Sequence, residues 1–132
     1  MKRILLALLL TIVGISPIFS QTRPLRGTAE YYLEAPDRYL DKSVTLYIIE
    51  AKEMPKLPAP ENYTAFFAFT TSPAGDGSRG GGIIVYVRDL RAKQFAKKYK
   101  EGWIVNGKPK TGSISGKFIK ALEVDGYAVK MN

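Results

Sequence analysis

The sequence contains neither cysteine nor histidine. Without thiols there is no disulfide, no thiolate nucleophile and no Cys-based metal site. Without imidazole the commonest general base and the commonest transition-metal ligand are missing. Most familiar hydrolytic and zinc chemistry is thereby excluded, and no residue pattern calls for a cofactor. Carboxylates are scarce relative to cations, 12 against 20, which gives a formal net charge of +8. What is present is a Tyr-rich chain of 132 residues with 12 Gly, 8 Pro and 24% charged side chains, the composition of one small folded domain. A chain of this length buries roughly 65% of its unfolded surface, enough to stand on its core alone.

Met1-Lys2-Arg3 sets two cations before the run Ile4 to Phe19, which contains Pro17 and is followed by Ser20-Gln21. A charged start, an apolar middle and a small residue before a cut are the parts of a secretory signal peptide, here residues 1–20. The apolar run is about 16 residues, short of the roughly 20 needed to span a bilayer. The expectation is an exported protein, periplasmic or secreted, with no transmembrane segment after cleavage and a monomeric state. Residues 21–27 read as a mobile polar arm and 28–132 as the domain. Losing Lys2 and Arg3 leaves that domain cationic. Its field attracts nucleic acid, anionic glycans, phospholipid headgroups and acidic proteins alike.

The spacing of Ala29, Tyr32 and Leu33 predicts about two helical turns over 28–35, ended by Pro36. Ser43 to Ala51, rich in β-branched and aromatic residues, is the strongest strand. Lys52 to Asn62 carries Pro55, Pro58 and Pro60 and reads as a loop. Tyr63 to Thr70 is a second strand, with Ala65, Phe67 and Phe69 on one face and Thr64, Phe66 and Ala68 on the other; Tyr63 and Phe67 are expected in the interior. A Gly-rich connection, Ser72 to Gly82, leads to a third strand, Ile83 to Val87. Asp89 reads as the N-cap of a helix to Lys100, with Ala92, Phe95, Ala96 and Tyr99 on one face and Gly102 ending it. Its other face carries Arg91, Lys93, Lys97, Lys98 and Lys100. After a turn at Asn106-Gly107, Ser113 to Glu123 is a fourth strand with Gly116 as a bulge or close-approach point. Asp125-Gly126 reads as a two-residue hairpin into a fifth strand over Tyr127, Val129 and Met131.

Three strands, a helix and two strands is the order of a five-stranded Greek-key OB-fold barrel with a helix between its third and fourth strands and a short N-terminal helix. An SH3-like barrel, the runner-up, offers no natural place for the helix. The stretch Pro36-Asp37-Arg38-Tyr39-Leu40-Asp41-Lys42-Ser43-Val44-Thr45-Leu46 resembles the "Pro, Tyr-Leu-Gly-Lys, Val-x-Val" opening of small exported bacterial OB-fold proteins of the tRNA-anticodon-binding-like type, and Ile114-Ser115-Gly116-Lys117-Phe118 is similar to their fourth strand. Asp41 stands where that family has Gly.

Several patterns are weighed for chemistry. Gly102 to Lys108 satisfies a phosphate-loop spacing by accident, since it follows a helix and Pro109 replaces the required hydroxyl. The glycines from Gly75 to Gly82 suit a hairpin tip as well as an anion nest. Glu50 and Glu53 are the nearest thing to the carboxylate pair of a hydrolase, although solvation of a strand end is the plainer role. The reading adopted is a non-enzymatic binding module for an extended anionic polymer, oligonucleotide or glycan. Its ligand is expected over Phe66 and Tyr86, between Lys52 and Lys56 of the proline loop and Arg79 of the Gly-rich loop. Lys117 and Lys120 would join the basic helix face, with Tyr47 as a further stacking surface. The alternative is a structural or interaction module that docks on an envelope protein.

Overall fold

The computed structural model describes residues 25–72, 79–100, 104–105, 108–109 and 111–132. The expected signal peptide, most of the polar arm, the helix-ending Gly102 and the Asn106-Gly107 turn lie outside the described residues. Leu25 to Gly27, the last of the expected arm, lead directly onto the barrel, where Gly27 O accepts from Tyr47 N at 2.9 Å.

The elements are α1 (Ala29–Leu33), a 3-10 turn (Pro36–Arg38), β1 (Ser43–Glu53), β2 (Tyr63–Thr70), β3 (Gly82–Arg88), α2 (Asp89–Lys98), a small hairpin β4 (Ile104–Val105) and β5 (Lys108–Pro109), β6 (Gly112–Lys120) and β7 (Tyr127–Lys130). Strands β1, β2, β3, β7 and β6 close in that order, with β3 and β7 parallel and the other pairs antiparallel. The long β1 makes closure possible: its first half, Ser43 to Ile48, pairs with β6, and its second half, from Ile48, pairs with β2. A bulge at Ile49 bends the strand between the two halves. This connectivity, with a helix between β3 and the next barrel strand, is the OB-fold. Among the described residues no helix is long and apolar enough to cross a membrane.

Period-two alternation sends Val44, Leu46, Ile48, Phe66, Ala68, Ile83, Val85, Val87, Ile114, Phe118 and Val129 inward. Each large side chain so buried stabilises the fold by about 1.5–3 kcal/mol. Helices close both ends. Phe95 and Tyr99 of the α2 segment fill the end where β1 and β3 finish, with Phe66, Phe95 and Tyr99 rings stepping at 4.9 Å. Tyr32 of α1 fills the other end against Tyr39 and Phe118 and donates its hydroxyl to Thr45 O at 2.9 Å. Thr28 caps α1 by accepting from Tyr31 N, and the first N–H of that helix, Ala29 N, reaches the buried Thr70 hydroxyl at 2.9 Å.

Four details differ from the sequence expectation. The two faces of β2 divide as expected, but Phe66 points inward and Phe67 outward, because the α2 plug supplies Phe95 as the interior partner of Phe66. Arg88, not Asp89, is the N-cap of α2; the Asp89 carboxylate instead accepts from the Thr64 hydroxyl at 2.6 Å. The helix ends at Lys98 rather than Lys100. Asp125-Gly126 is not a two-residue hairpin: the connection runs from Ala121 to Gly126, closed by Ala121 N to Gly126 O at 3.0 Å, with Glu123 at φ 51°.

Candidate functional site

A second apolar cluster lies outside the barrel. Ala65, Tyr86 and Ala128 project from the outer face of β2, β3 and β7, and Leu57 and Ala59 of the proline loop and Ala121 and Val124 of the β6–β7 connection pack over them. Tyr86 is fully buried there, and its hydroxyl accepts from Leu122 N at 2.9 Å. The two loops that flank the usual ligand face of this fold therefore roof that face with their own side chains.

The expected site between Phe66 and Tyr86 is thus corrected. Phe66 is inside the barrel and Tyr86 is beneath the loop roof, so neither ring face reaches solvent. Lys52 and Lys56 remain exposed on β1 and the proline loop. Arg79 is committed within the fold: its guanidinium lies 4.5 Å from the centroid of Phe69 and 2.9 Å from the carboxylate of Glu50, which is only 4% exposed. Glu50 lies opposite Phe69, and Glu53 opposite Phe66, so alternation places the two carboxylates on opposite faces of β1. Lys120 sits 5.7 Å over the Tyr127 ring.

The structure opens a different surface. Along the first half of β1 the outward residues Ser43, Thr45 and Tyr47 lie opposite Lys117, Ser115 and Ser113 of β6. The Thr45 and Ser115 hydroxyls meet at 2.9 Å. On the flank of β1 away from β6, a depression of about 500 Å³ is walled by Tyr31, Tyr32, Tyr39 and Tyr47, with Arg26 and Lys42 at its rim. On the β6 flank a second, of about 550 Å³, holds Lys117, Ser115 and Arg91 and shares Ser43 with the first. A third, about 200 Å³, continues between α2 and β6 past Lys98, Gln94 and Ser113 and shares Arg91 and Met131 with the second.

These depressions form one track across the outer face of β1 and β6 and down to α2. Five cationic side chains line it, Arg26, Lys42, Lys117, Arg91 and Lys98, against one acidic side chain, Asp41, with Asn132 also in the lining. Asp41 approaches Lys117 only to 3.9 Å, both exposed, an arrangement that screens little of the charge. In the Tyr-rich depression the Tyr39 phenol is held above its ordinary pKa, first by the hydrogen bond with the Tyr31 side chain and then by desolvation.

Of the residues singled out in the sequence, Lys117, Lys98, Arg91 and Tyr47 line this track. Sequence reading missed Arg26, Tyr31, Lys42 and Ser43 as a group. The available signal was the alternation of small hydroxyl residues, Ser43 and Thr45 on one strand and Ser113 and Ser115 on the other, at positions that a solvated face requires. No protein-family model matches the chain, and no curated protein or solved structure does either.

Proposed function

We propose that this protein is a non-enzymatic OB-fold binding module for an extended anionic polymer, which it holds across the outer face of β1 and β6. The observation that carries the reading is the continuity of the three depressions through Ser43 and Arg91, with cations spaced along their length. A small ligand would need one enclosed pocket with convergent polar groups; an open track with distributed charge suits a chain. The site lies off the face that OB barrels ordinarily use because that face is roofed here by Leu57, Ala59 and Val124. Export to the periplasm or exterior, and a place among the small bacterial proteins that the Pro36 to Leu46 stretch resembles, belong to the same proposal.

Polyanion binding of this kind releases counterions, so affinity falls as salt rises. With a single-stranded DNA probe, the double variant Arg91→Gln/Lys117→Gln flattens the plot of log K against log salt by about 1.4, two contacts' worth. Binding that is flat in salt, or a slope that the double variant leaves unchanged, overturns the reading. The alternative, an interaction module for an envelope protein, draws on Phe67 and Phe69, a half-buried ring pair at 5.2 Å on the outer face of β2.

A further inference from the structure

The track pairs its cations with an unusual density of hydroxyls. Ser43, Thr45, Ser113 and Ser115 point outward on adjacent strands, and Tyr31 and Tyr39 add two phenols at one end. Each hydroxyl both donates and accepts a hydrogen bond. That complements a ligand which itself carries hydroxyls on every unit. A nucleic-acid backbone, whose phosphate oxygens accept but do not donate, uses only the donor half of each hydroxyl, and there cations do most of the work.

The rings point the same way. Proteins that hold single strands stack bases on exposed aromatic faces. Here Tyr31 and Tyr32 meet at 87° and Tyr32 and Tyr39 at 85°, while Tyr31 and Tyr39 are tilted by 42°. No two of these three rings are parallel, so they form no slot for a planar base; Tyr32, the ring between them, is 4% exposed. What they form is a lining of mutually tilted rings, with the Tyr32 hydroxyl given to Thr45 O and the Tyr31 and Tyr39 side chains hydrogen-bonded to one another, a surface suited to a puckered ring rather than a planar one.

Building on the anionic-polymer reading, we infer that the ligand is an acidic glycan, with one carboxylated or sulfated sugar seated in the depression of Tyr31, Tyr39 and Tyr47. Arg26 and Lys42 hold its anionic group. The Ser43, Thr45 and Ser115 hydroxyls take the next unit, and Lys117 and Arg91 take the charges beyond it.

The test compares three probes of matched charge on the protein as its cell produces it: oligogalacturonate, with hydroxyls and a carboxylate on each ring; polyglutamate, with carboxylates and no hydroxyls; and oligo-dT. The expected result is that oligogalacturonate binds about tenfold tighter than polyglutamate, the worth of one or two net hydrogen bonds. The variant Tyr31→Phe/Tyr39→Phe, which keeps both rings, weakens oligogalacturonate binding more than polyglutamate binding and so removes that margin. Ser43→Ala, at an exposed position, narrows the same margin if the double variant melts early. Equal affinity for all three probes, tighter binding of oligo-dT, or a margin that these variants leave intact overturns the glycan assignment while the anionic-polymer reading stands. Absence of binding to any of the three overturns both.

Discussion

At the scale of single residues, Asp41 shows how a local conformation constrains the sequence. It sits at φ 63°, in the left-handed region, at the turn that delivers the chain into β1, where Asp41 N donates to Phe118 O at 2.8 Å. Aspartate tolerates this region better than most residues, and glycine better still. Asp41→Gly is therefore expected to be at least as stable as the parent, whereas Asp41→Val, branched at Cβ, loses about 1–2 kcal/mol; urea denaturation of the two variants checks both. Tyr99 supplies a second test. Burial raises its pKa above the ordinary phenol value of 10.0. The folded state therefore holds this proton more tightly than the unfolded chain does. The resulting stability is fully present below pH 10 and is lost as pH climbs through the raised value. Denaturation midpoints followed from neutral pH upward should fall above pH 10, and Tyr99→Phe should fall less steeply. Identical slopes in parent and variant would contradict that account. Phe66 and Phe67 mark where residue-level reading stopped: alternation separates their faces but does not say which is inside, because both are aromatic. The decision belongs to Phe95, 29 positions further along the chain on another element, which meets Phe66 at 4.9 Å.

At the scale of elements, β1, β2, β3 and α2 were legible because each carries an uninterrupted period of two or 3.6 bounded by proline, glycine or charge. The β6–β7 connection was not, since Asp125-Gly126 imitates a tight turn while Ala121 and Val124 are drawn into the outer cluster and lengthen it. Gly116 was read as a bulge or a close approach, and the structure decides for the latter. Its pairing with Val44 leaves the β1–β6 register unbroken, and a Cβ there would stand 2.6 Å from Lys130 O and 2.8 Å from a methyl of Val129. Both neighbours belong to β7, so neither can swing aside as a long surface side chain would. Gly116→Ala is expected to cost about 1–3 kcal/mol, the usual penalty for overfilling a packed site. A thermal melt within a degree of the parent would show that β6 and β7 can separate there.

At the scale of the whole molecule, one barrel presents two outer faces of opposite character. The β2–β3–β7 face is covered by the molecule's own loops, with Tyr86 buried beneath them. The β1–β6 face is left to solvent with hydroxyls, tyrosines and cations. The sequence signalled a basic domain with an OB-like order of strands, but it could not say which face the loops would choose. That choice depends on Leu57 and Val124 meeting over Ala65 and Tyr86 from loops more than sixty residues apart. The expected site therefore centred on the covered face, while Lys117, Lys98 and Tyr47 among the residues suggested for it lie on the open track. Backbone amide shifts recorded as oligogalacturonate is titrated into the labelled protein test this assignment directly. The predicted result is movement of Ser43, Thr45, Ser115, Lys117 and Arg91, with Ala65, Phe67 and Ile84 unmoved; shifts confined to the latter three would place the ligand on the β2–β3 face and contradict the account.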